Sequence, residues 1–415
     1  MYYIIEYILW RYYIYMDNQK RSNSKKQLYR KKQIKKRRIL RNRILFFGLL
    51  FIVIGGTGYI IHNYNSSKTL KSTEDNSKNT SQAKTPKEEE TPPKREEILL
   101  TAAGDFTLGT DDSFDKATSL PAAVSASGNN YSYLLKNVKD IFEGDDYTLV
   151  NLETTFTNST NKLDKGHAIQ FHFKGPSEFA KILTSSSIEG VTIANNHIYD
   201  YGKQGFNDTV NTLKNNKVDI TGEGHIIEKE IKGIKFGFLG YQAWDNGQKI
   251  KDQISKDIKI LKDKGTQVII PYFHWGIEKD SKPSEYQIDL AHFAIDSGAS
   301  MVLGSHPHVI QTIENYKGRL IAYSLSNFCF GGNSNPADKR TFILQSKFDF
   351  EGDTLKDIEY KVIPATISSV SNKNDYIPTV ATGEKGETIL NYINSLSPTL
   401  KGSISDSYFK LPKSS

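Results

Sequence analysis

Two of the nine histidines of this chain, His306 and His308, lie two residues apart in the segment 303–311, LGSHPHVIQ. In extended backbone, residues i and i+2 point to the same side of a strand. Both imidazoles would then face one point, as two ligands of a metal site would. The pair alone fits equally well a strand end with two solvated or packed histidines. The other motifs of the chain therefore have to decide between these interpretations.

Four further apolar segments also end in side chains that bind metals or carry protons. In open α/β sheets, ligands bind beyond the carboxyl ends of the strands, so these side chains would lie at one edge of a sheet. Oxygen ligands mixed with imidazole suit zinc, manganese or iron(II) better than calcium or magnesium alone. The pattern predicts a divalent metal site. The residues are Asp105 in AAGD, Asn151 and Glu153 in VNLE, Asn195, Asn196 and His197 in IANNH, and His274 in YFHWG.

The elements that would position these residues alternate between strands and helices from Ile98 onward. Short apolar segments such as YTLVNLE, GVTIAN and QVIIPYFHWG are typical of buried strands. Segments with helical spacing, among them SEFAKILTSS, GFNDTVNTLKNN, DQISKDIKILKDK and SEYQIDLAHFAIDSG, lie between them. Hairpin-like segments add antiparallel strands. The sequence predicts an α/β body over residues 98–365, followed by a C-terminal extension, residues 366–415, of loops and one helix.

The charge of the chain is unevenly distributed. The net charge is +7, but residues 1–61 contain 14 Lys and Arg and two acidic residues, so residues 62–415 are net negative. A nucleic-acid-binding domain would need its basic patch on the folded body, so this distribution argues against that class of protein. The single cysteine, Cys329, excludes an intramolecular disulfide and a cysteine-based zinc site, and is more typical of a small core residue than of a nucleophile.

An uncharged apolar segment follows the basic N-terminus. Residues 44–61, ILFFGLLFIVIGGTGYII, contain no charged side chain over 18 positions. A helix of this length would be roughly 27 Å long, close to the hydrocarbon thickness of a bilayer. The basic run before it, within residues 1–43, predicts a cytoplasmic tail and an extracellular body. The alternative is a cleaved signal peptide, but no convincing small-x-small cleavage motif follows the segment.

Residues 62–97 are predicted to form a disordered linker between the anchor and the body. From Ser66 onward this stretch has no aromatic residue and few apolar side chains to bury. The first 16 residues, MYYIIEYILWRYYIYM, are too short to span a bilayer and contain Glu6 and Arg11. They would either lie on the membrane surface or precede a translation start at Met16, and we favour the second interpretation.

Six motifs, in this order along the chain, resemble the bacterial capsule synthesis protein CapA family, which is associated with poly-γ-glutamate capsules. They are AAGDFTLG, VNLETTFT, IANNHIYDYG, FHWGIE, GSHPHVIQ and YSLSNF, and the resemblance covers about residues 98–364. That family looks like a divergent branch of the calcineurin-like metallophosphoesterases. The resemblance implies a metallophosphoesterase-like sandwich of two mixed β-sheets flanked by helices, with metals held at strand ends. From the apolar segment 44–61, we expect this body to be preceded by one transmembrane helix.

The resemblance also implies a role for each site residue. His197 would give a proton to the leaving group, with Asp200 nearby as its partner. Glu153 falls where the metallophosphoesterases have an aspartate that bridges two ions. One or two divalent ions, with manganese, zinc or iron expected, would hold the attacking and leaving oxygens of a displacement. The implied metal ligands are Asp105, Glu153, Asn196, His274, His306 and His308.

Thr107 departs from the metallophosphoesterase pattern. The first motif of those enzymes is Asp-x-His, and the corresponding residues here, DFT, put Thr107 where the histidine would be. One ion therefore lacks a strong ligand. Glu153 in place of an aspartate also changes the reach of the bridging carboxylate.

Two functions follow from the resemblance. The first is a membrane-anchored, extracellular protein of poly-γ-glutamate capsule biosynthesis, a metal-dependent hydrolase or transferase that acts on the polymer or its attachment. The second is a non-catalytic assembly or export factor that binds the polyanion through a retained metal pocket. Expected partners are the cell membrane, the anionic polymer and other capsule synthesis membrane subunits, but no nucleic acid. Thr107 favours the second function, whereas His197 and Asp200 favour the first, because a structural site needs no proton donor.

Overall fold

The structure of the chain is a computed structural model that describes residues 94–166 and 168–412. The predicted cytoplasmic tail, the transmembrane anchor and the linker up to residue 93 lie outside the described residues. Within the part of the chain that the structure describes, no helix is both long and apolar enough to cross a membrane.

The body is built mainly from β-strands. Every apolar segment that the sequence predicted as a buried strand contains a strand, because its β-branched and aromatic side chains are buried on the faces of a sheet. The strands are β1 (Arg95–Thr107), β2 (Tyr147–Leu152), β3 (Thr155–Phe156), β4 (Lys174–Gly175), β5 (Gly190–Thr192), β6 (Asp219–Thr221), β7 (Ile226–Ile231), β8 (Ile234–Ala243), β9 (Val268–Trp275), β10 (Val302–Ser305), β11 (Ile313–Tyr316), β12 (Arg319–Ala322), β13 (Asn327–Phe330), β14 (Arg340–Glu351), β15 (Thr354–Thr366) and β16 (Thr379–Val380).

Most of the strands form two mixed sheets. The first has the order β16-β15-β14-β1-β2-β5-β6, with β13 also paired to β1. In this sheet β1, β2, β5 and β6 are parallel neighbours, and β14 joins β1 antiparallel. The second sheet has the order β11-β12-β10-β9-β8-β7, with parallel central strands and an antiparallel strand at each edge. The prediction of an α/β body with mixed sheets is confirmed.

Among the described residues, six of the seven α-helices pack on the outer faces of the two sheets, and the last one packs into the core between them. The helices are α1 (Leu120–Ala126), α2 (Lys139–Glu143), α3 (Ala180–Thr184), α4 (Gly202–Asn215), α5 (Gln248–Asp263), α6 (Glu285–Ser297) and α7 (Gly383–Leu396). In α5, Ile254, Ile258 and Leu261 repeat at helical spacing and are buried against the second sheet. The segment SEFAKILTSS, predicted as one helix, forms a 3₁₀ turn followed by α3. The short helices α1 and α2 were not predicted.

The two sheets pack face to face through a shared apolar core. Tyr147 of β2 stacks on Phe238 of β8 with 5.0 Å between ring centroids, and Phe236 of β8 meets Phe348 of β14 edge-on at 5.4 Å. Burial of a large apolar side chain of this kind contributes about 1.5–3 kcal/mol. Ile389 of α7 lies in the same core, so the predicted C-terminal extension packs onto the body.

The strand register brings the carboxyl ends of neighbouring parallel strands together. In the first sheet, Asp105 of β1 pairs with Asn151 of β2, which in turn pairs with Thr192 of β5. In the second sheet, His274 of β9 pairs with Ser305 of β10, immediately before the histidine pair. Residues that are distant in sequence therefore share one edge of each sheet, as the strand-end pattern predicted.

We expect Gly104→Ala to destabilise the body. A Cβ at Gly104 would lie 1.8 Å from the backbone oxygen of Ser326, which also accepts a 2.9 Å hydrogen bond from the backbone nitrogen of Asp105. Neither backbone can move without displacing β1 or the segment before β13. The free energy of unfolding should fall by on the order of 3 kcal/mol, as measured by chemical denaturation.

Gly247→Ala is the matched control for this prediction. Gly247 lies at the start of α5 with a φ of −65°, and an added Cβ there would meet the exposed side chain of Asp245 at 2.9 Å. Its effect on the unfolding free energy should stay below about 1 kcal/mol. Parent-like stability of Gly104→Ala would contradict the close approach of β1 to Ser326.

Candidate metal centre

The predicted ligands come from the ends of strands in both sheets. Asp105 lies near the end of β1, and Glu153 directly follows β2. His274 is the penultimate residue of β9. The remaining predicted residues follow β5 and β10: they are Asn196, His197 and Asp200 after the first of these strands, and His306 and His308 after the second.

A chain of buried amide groups holds the strand ends in place. The Nδ2 of Asn151 donates to Asp105 Oδ1 at 2.7 Å and also lies 3.2 Å from His274 Nδ1. The Nδ2 of Asn195 donates to Asn151 Oδ1 at 3.2 Å and to the backbone oxygen of Leu152 at 2.8 Å. Because a buried amide needs partners for its donors and acceptors, this network fixes Asp105 and His274 relative to each other.

Glu153 is the least satisfied polar side chain of the centre. It is fully buried, and neither carboxylate oxygen has a hydrogen-bond partner. Burial raises the pKa of Glu153 well above its usual value, and the neighbouring charge of Asp105 raises it further. Its Oε1 lies 3.4 Å from His274 Nε2 and 3.9 Å from His197 Nε2. A buried carboxylate without partners fits a divalent ion, which would bind the oxygens that the protein leaves free.

His306 and His308 lie in a turn and not in extended backbone. Strand β10 ends at Ser305, and the φ angles of the two histidines are 98° and 58°. The expectation that extended backbone aligns the pair is therefore wrong. Instead, the His306 backbone nitrogen donates to Asp105 Oδ2 at 3.4 Å, and His308 Nδ1 lies 3.3 Å from the same oxygen. The turn brings both imidazoles to the centre, with 5.8 Å between their ring centroids.

Burial keeps most of these imidazoles neutral. It lowers the pKa of His274 well below its usual value and that of His306 to about 3, with the neighbouring His308 acting in the same direction on His306. A neutral imidazole has a lone pair for a metal. For His308, burial lowers the pKa, but the carboxylates of Glu153 and Asp105 outweigh this effect and raise the pKa to about 9. An ion bound at His308 would therefore displace a proton.

The ligand atoms form three overlapping sets, and the atoms of each set lie within 4.8 Å of one another. Glu153 belongs to two of them, as a bridging carboxylate would. Asn196 adjoins the first set, since its Oδ1 lies 2.6 Å from His274 Nε2. All six predicted ligands thus meet at one place. The sets are Glu153 with His274 and His306, Asp105 with Glu153 and His308, and Glu278 with His306 and His308.

The predicted proton-carrying pair lies beside these ligands. His197 Nδ1 is 2.7 Å from Asp200 Oδ2, which also accepts a 2.7 Å hydrogen bond from the backbone nitrogen of Phe173. The other carboxylate oxygen of Asp200 pairs with Lys165. Burial lowers the pKa of His197, although Asp200 acts in the opposite direction. The imidazole is therefore neutral near pH 7.

Sequence reasoning missed three residues at this site. Asn327 Oδ1 lies 2.8 Å from His308 Nδ1, and Asn327 belongs to the YSLSNF motif, so a signal was present. Glu278 ends the FHWGIE motif, four residues after His274. Lys165 comes from a loop without any motif and carried no signal in the sequence.

Thr107 is buried, and its hydroxyl has no hydrogen-bond partner.

A cleft of about 930 Å³ opens beside the centre. His197 and His308 lie in its wall, so a molecule in the cleft would contact the predicted site directly. Phe171 and Phe173 give the wall an aromatic part. Among the described residues that line the cleft, Asp115, Glu278 and Asp338 are acidic and Lys279 is basic, so its side chains do not form a basic surface.

Together, the fold and the cluster define a two-sheet α/β protein with a buried carboxylate–imidazole centre suited to divalent ions. The chain belongs to the bacterial capsule synthesis protein PGA_cap family, whose sequence profile matches residues 99–332. That range contains every residue predicted for the site. The resemblance to the CapA family that the six motifs indicated is confirmed.

Curated relatives have capsule-related names. The chain is 28% identical over 257 residues to the capsule biosynthesis protein CapA of Bacillus anthracis, which covers 57% of this chain and 60% of the relative. It is 29% identical over 218 residues to the PGA biosynthesis protein CapA of Bacillus subtilis (strain 168), which covers 48% of this chain and 56% of the relative. The matches thus span less than two thirds of the length of these relatives.

Two solved structures are similar over part of the chain. A hypothetical protein from Thermus thermophilus matches with a TM-score of 0.37 and 16% identity, over 64% of this chain and 99% of that one. The purple acid phosphatase PPD1 from yellow lupin matches with a TM-score of 0.34 and 10% identity, over 66% of this chain and 52% of the phosphatase. At these scores the likeness carries no argument, so the metallophosphoesterase interpretation rests on the strand-end cluster and the motifs.

We expect His306→Ala and His308→Ala each to weaken metal binding without unfolding the body. Loss of an outer partner of a metal ligand typically costs ~10–100-fold in affinity, so loss of a ligand should cost at least about 100-fold. Isothermal titration of the metal-free protein with Mn²⁺ measures this. His292→Ala is the matched control, because His292 of α6 pairs with Glu314 and belongs to none of the ligand sets. Parent-like affinity of His306→Ala would refute the ligand assignment.

Proposed function

We propose that this chain acts in the biosynthesis of a poly-γ-glutamate capsule, as a membrane-anchored, extracellular, metal-dependent hydrolase or transferase acting on the polymer or its attachment. Family membership and the names of the relatives support the capsule role. One observation carries the catalytic part of the proposal: His197 and Asp200 lie beside the ligand sets, with His197 Nδ1 2.7 Å from Asp200 Oδ2. In such a pair the carboxylate orients the imidazole and supports a proton on it, which suits a proton donor to a leaving group.

His197 can carry a proton on the side of the metal centre. In the neutral imidazole, the proton on Nδ1 is held by the Asp200 carboxylate, which fixes the tautomer and the ring orientation. Nε2 then faces Glu153, 3.9 Å away, with a free lone pair. The ring can take up a proton at Nε2 and return it to a leaving group there. Lys165 pairs with the far oxygen of Asp200 and places a positive charge beside this buried carboxylate.

Bound divalent ions would supply Lewis-acid chemistry to a substrate oxygen. Asp105, Glu153 and the imidazoles of His274, His306 and His308 would hold them. Because the cleft has more acidic than basic side chains, an anionic polymer would be attracted by the ions and not by the cleft wall. The Phe171 and Phe173 rings would shield the reacting groups from water.

A second candidate is a non-catalytic assembly or export factor that holds the polyanion through the same ions. Thr107 favours this function. Its hydroxyl is a weaker metal ligand than an imidazole, so the ion near Asp105 has fewer strong ligands. Other membrane subunits of capsule synthesis are the partners that either function would require.

We expect protease added to intact cells to cut within residues 66–97 and to release a soluble fragment of about the size of residues 97–415. The reason is the proposed topology, with a cytoplasmic basic tail, one membrane span at residues 44–61 and an exposed linker. Immunoblotting of the medium with an antibody to the body detects the fragment. A cytoplasmic marker protein that stays intact is the control. If the body stays protected until the cells are lysed, the topology is wrong.

We expect His197→Ala to lower turnover by about 10²–10⁴-fold while metal content stays near that of the parent, because the residue would carry a proton and bind no ion. Asp200→Asn should give a smaller loss, since the amide still orients the ring but no longer supports its charge. The assays are hydrolysis of an aryl phosphate ester and of γ-glutamyl polymer, with metal content from elemental analysis.

The same variants separate the two candidate functions in cells. If His197→Ala makes a full capsule while its metal stays bound, the enzymatic function is excluded and the assembly function is favoured. Loss of metal together with activity would instead make His197 a ligand. Thermal unfolding of the variant identifies the third outcome, a histidine needed only for packing.

A further inference from the structure

Glu278 lies on the solvent side of the metal centre and has no role in the mechanism described so far. One of its carboxylate oxygens and the ring nitrogens of His306 and His308 lie within 4.8 Å of one another. Glu278 is exposed, whereas His306 is buried and His308 is half-buried. Glu278 also lines the cleft together with His308. Its carboxylate is therefore positioned between the bulk solvent and the buried ligands.

The backbone holds Glu278 at this position. Strand β9 ends at Trp275, and the turn after it carries Glu278. The backbone nitrogen of Lys279 donates to the oxygen of Pro307 at 2.8 Å, and Pro307 is the residue between the two histidines. The side chain of Gln311 also donates to the backbone oxygen of Asp280 at 2.8 Å. These bonds tie the Glu278 turn to the histidine turn, so the approach does not depend on the side chain alone.

The buried part of the centre contains polar atoms that have no hydrogen-bond partner. His306 Nδ1 has no hydrogen-bond partner, and only 7% of the residue is exposed. Both oxygens of Glu153 are also unpartnered. Asn327 Oδ1 lies 2.8 Å from His308 Nδ1, which leaves Nε2 of His308 available to an ion. These orphaned atoms point to ions, independently of the acidic character of Glu278.

The ligands are unequally divided between two ions. Glu153, His274 and His306 form one set, and Asn196 adjoins it through its 2.6 Å contact with His274. Asp105, Glu153 and His308 form the other set, which has no fourth His, Cys, Asp or Glu member among the described residues. Divalent transition metals in proteins usually take at least about four ligands.

We propose that Glu278 is a ligand of the metal centre and completes the set on the ion held by Asp105, Glu153 and His308. The assignment rests on the proposed metal-dependent function, and deepens it by naming a carboxylate ligand at the cleft. The Glu278 set contains both His306 and His308, and His308 also belongs to the set with Asp105 and Glu153, which is the set without a further ligand beside it. Glu278 is therefore assigned to the ion of His308. The ion nearest the cleft would then have three carboxylates and one imidazole, a hard ligand set that suits manganese or iron(II) more than zinc.

The test is Mn²⁺ binding by the full-length chain after its ions are removed with a chelator. Elemental analysis gives the number of ions, and calorimetric titration gives their affinities. The parent should bind two ions. Glu278→Gln should keep one at parent affinity and bind the other at least about 100-fold more weakly. Glu278→Asp should give an intermediate affinity, because the shorter carboxylate still reaches towards the ion.

Asp115→Asn is the matched control for charge. Asp115 lines the same cleft, and an asparagine keeps its capping contact with the backbone nitrogen of Ala117. Its two ions should bind as in the parent; a loss as large as that of Glu278→Gln would mean a general charge effect and would overturn the assignment. Parent-like binding by Glu278→Gln, equal weakening of both ions, or a parent that binds a single ion would also overturn it. A parent that binds no ion would overturn the proposed function as well.

Discussion

The metal centre depends on the burial of the Glu153 carboxylate without a hydrogen-bond partner. An isolated ionised carboxylate inside a protein costs several kcal/mol, roughly, even after the structure relaxes. The protein does not remove this cost with its own donors, because the nearby Asn151 and Asn195 amides are already used by Asp105 and the backbone. Neutral imidazoles line the other side. The centre is therefore built to receive positive charge, and a divalent ion would supply it.

Packing between the two sheets sets the dimensions of this centre. Asp105 and Glu153 come from the first sheet, whereas His274 and the histidine turn come from the second. Tyr272 of β9 joins the two layers, since its hydroxyl donates to the backbone oxygen of Ala103 at 3.0 Å and lies 2.7 Å from Ser305 Oγ. A shift between the sheets would therefore separate the ligands. The packing of the shared core therefore determines both the stability of the body and the geometry of the site.

The two parts of the chain, residues 1–61 and residues 62–415, have net charges of opposite sign. The net positive charge lies before residue 62, where it suits the proposed contact with a membrane surface, and the rest of the chain is net negative. The cleft beside the centre also has more acidic than basic side chains. Poly-γ-glutamate is a polyanion, so ions at the centre would be the attractive element for it in this cleft. Such an arrangement would confine binding to the place where His197 and Asp200 could act.

The sequence by itself determined the candidate ligands at the strand ends, the α/β class and the family, because apolar segments that end in Asp105, His274 or His306 follow from local patterning. The long amphipathic helices were predictable for the same reason, whereas the short helices α1 and α2 have too few turns to show a period. Only the tertiary structure decided how the ligands meet. The histidine turn has positive φ angles, which no spacing rule indicated. Glu278 from a turn after β9 and Asn327 from the start of β13 approach His308 through tertiary packing. Contacts between residues far apart in sequence depend on strand register and sheet packing, which local pattern does not encode.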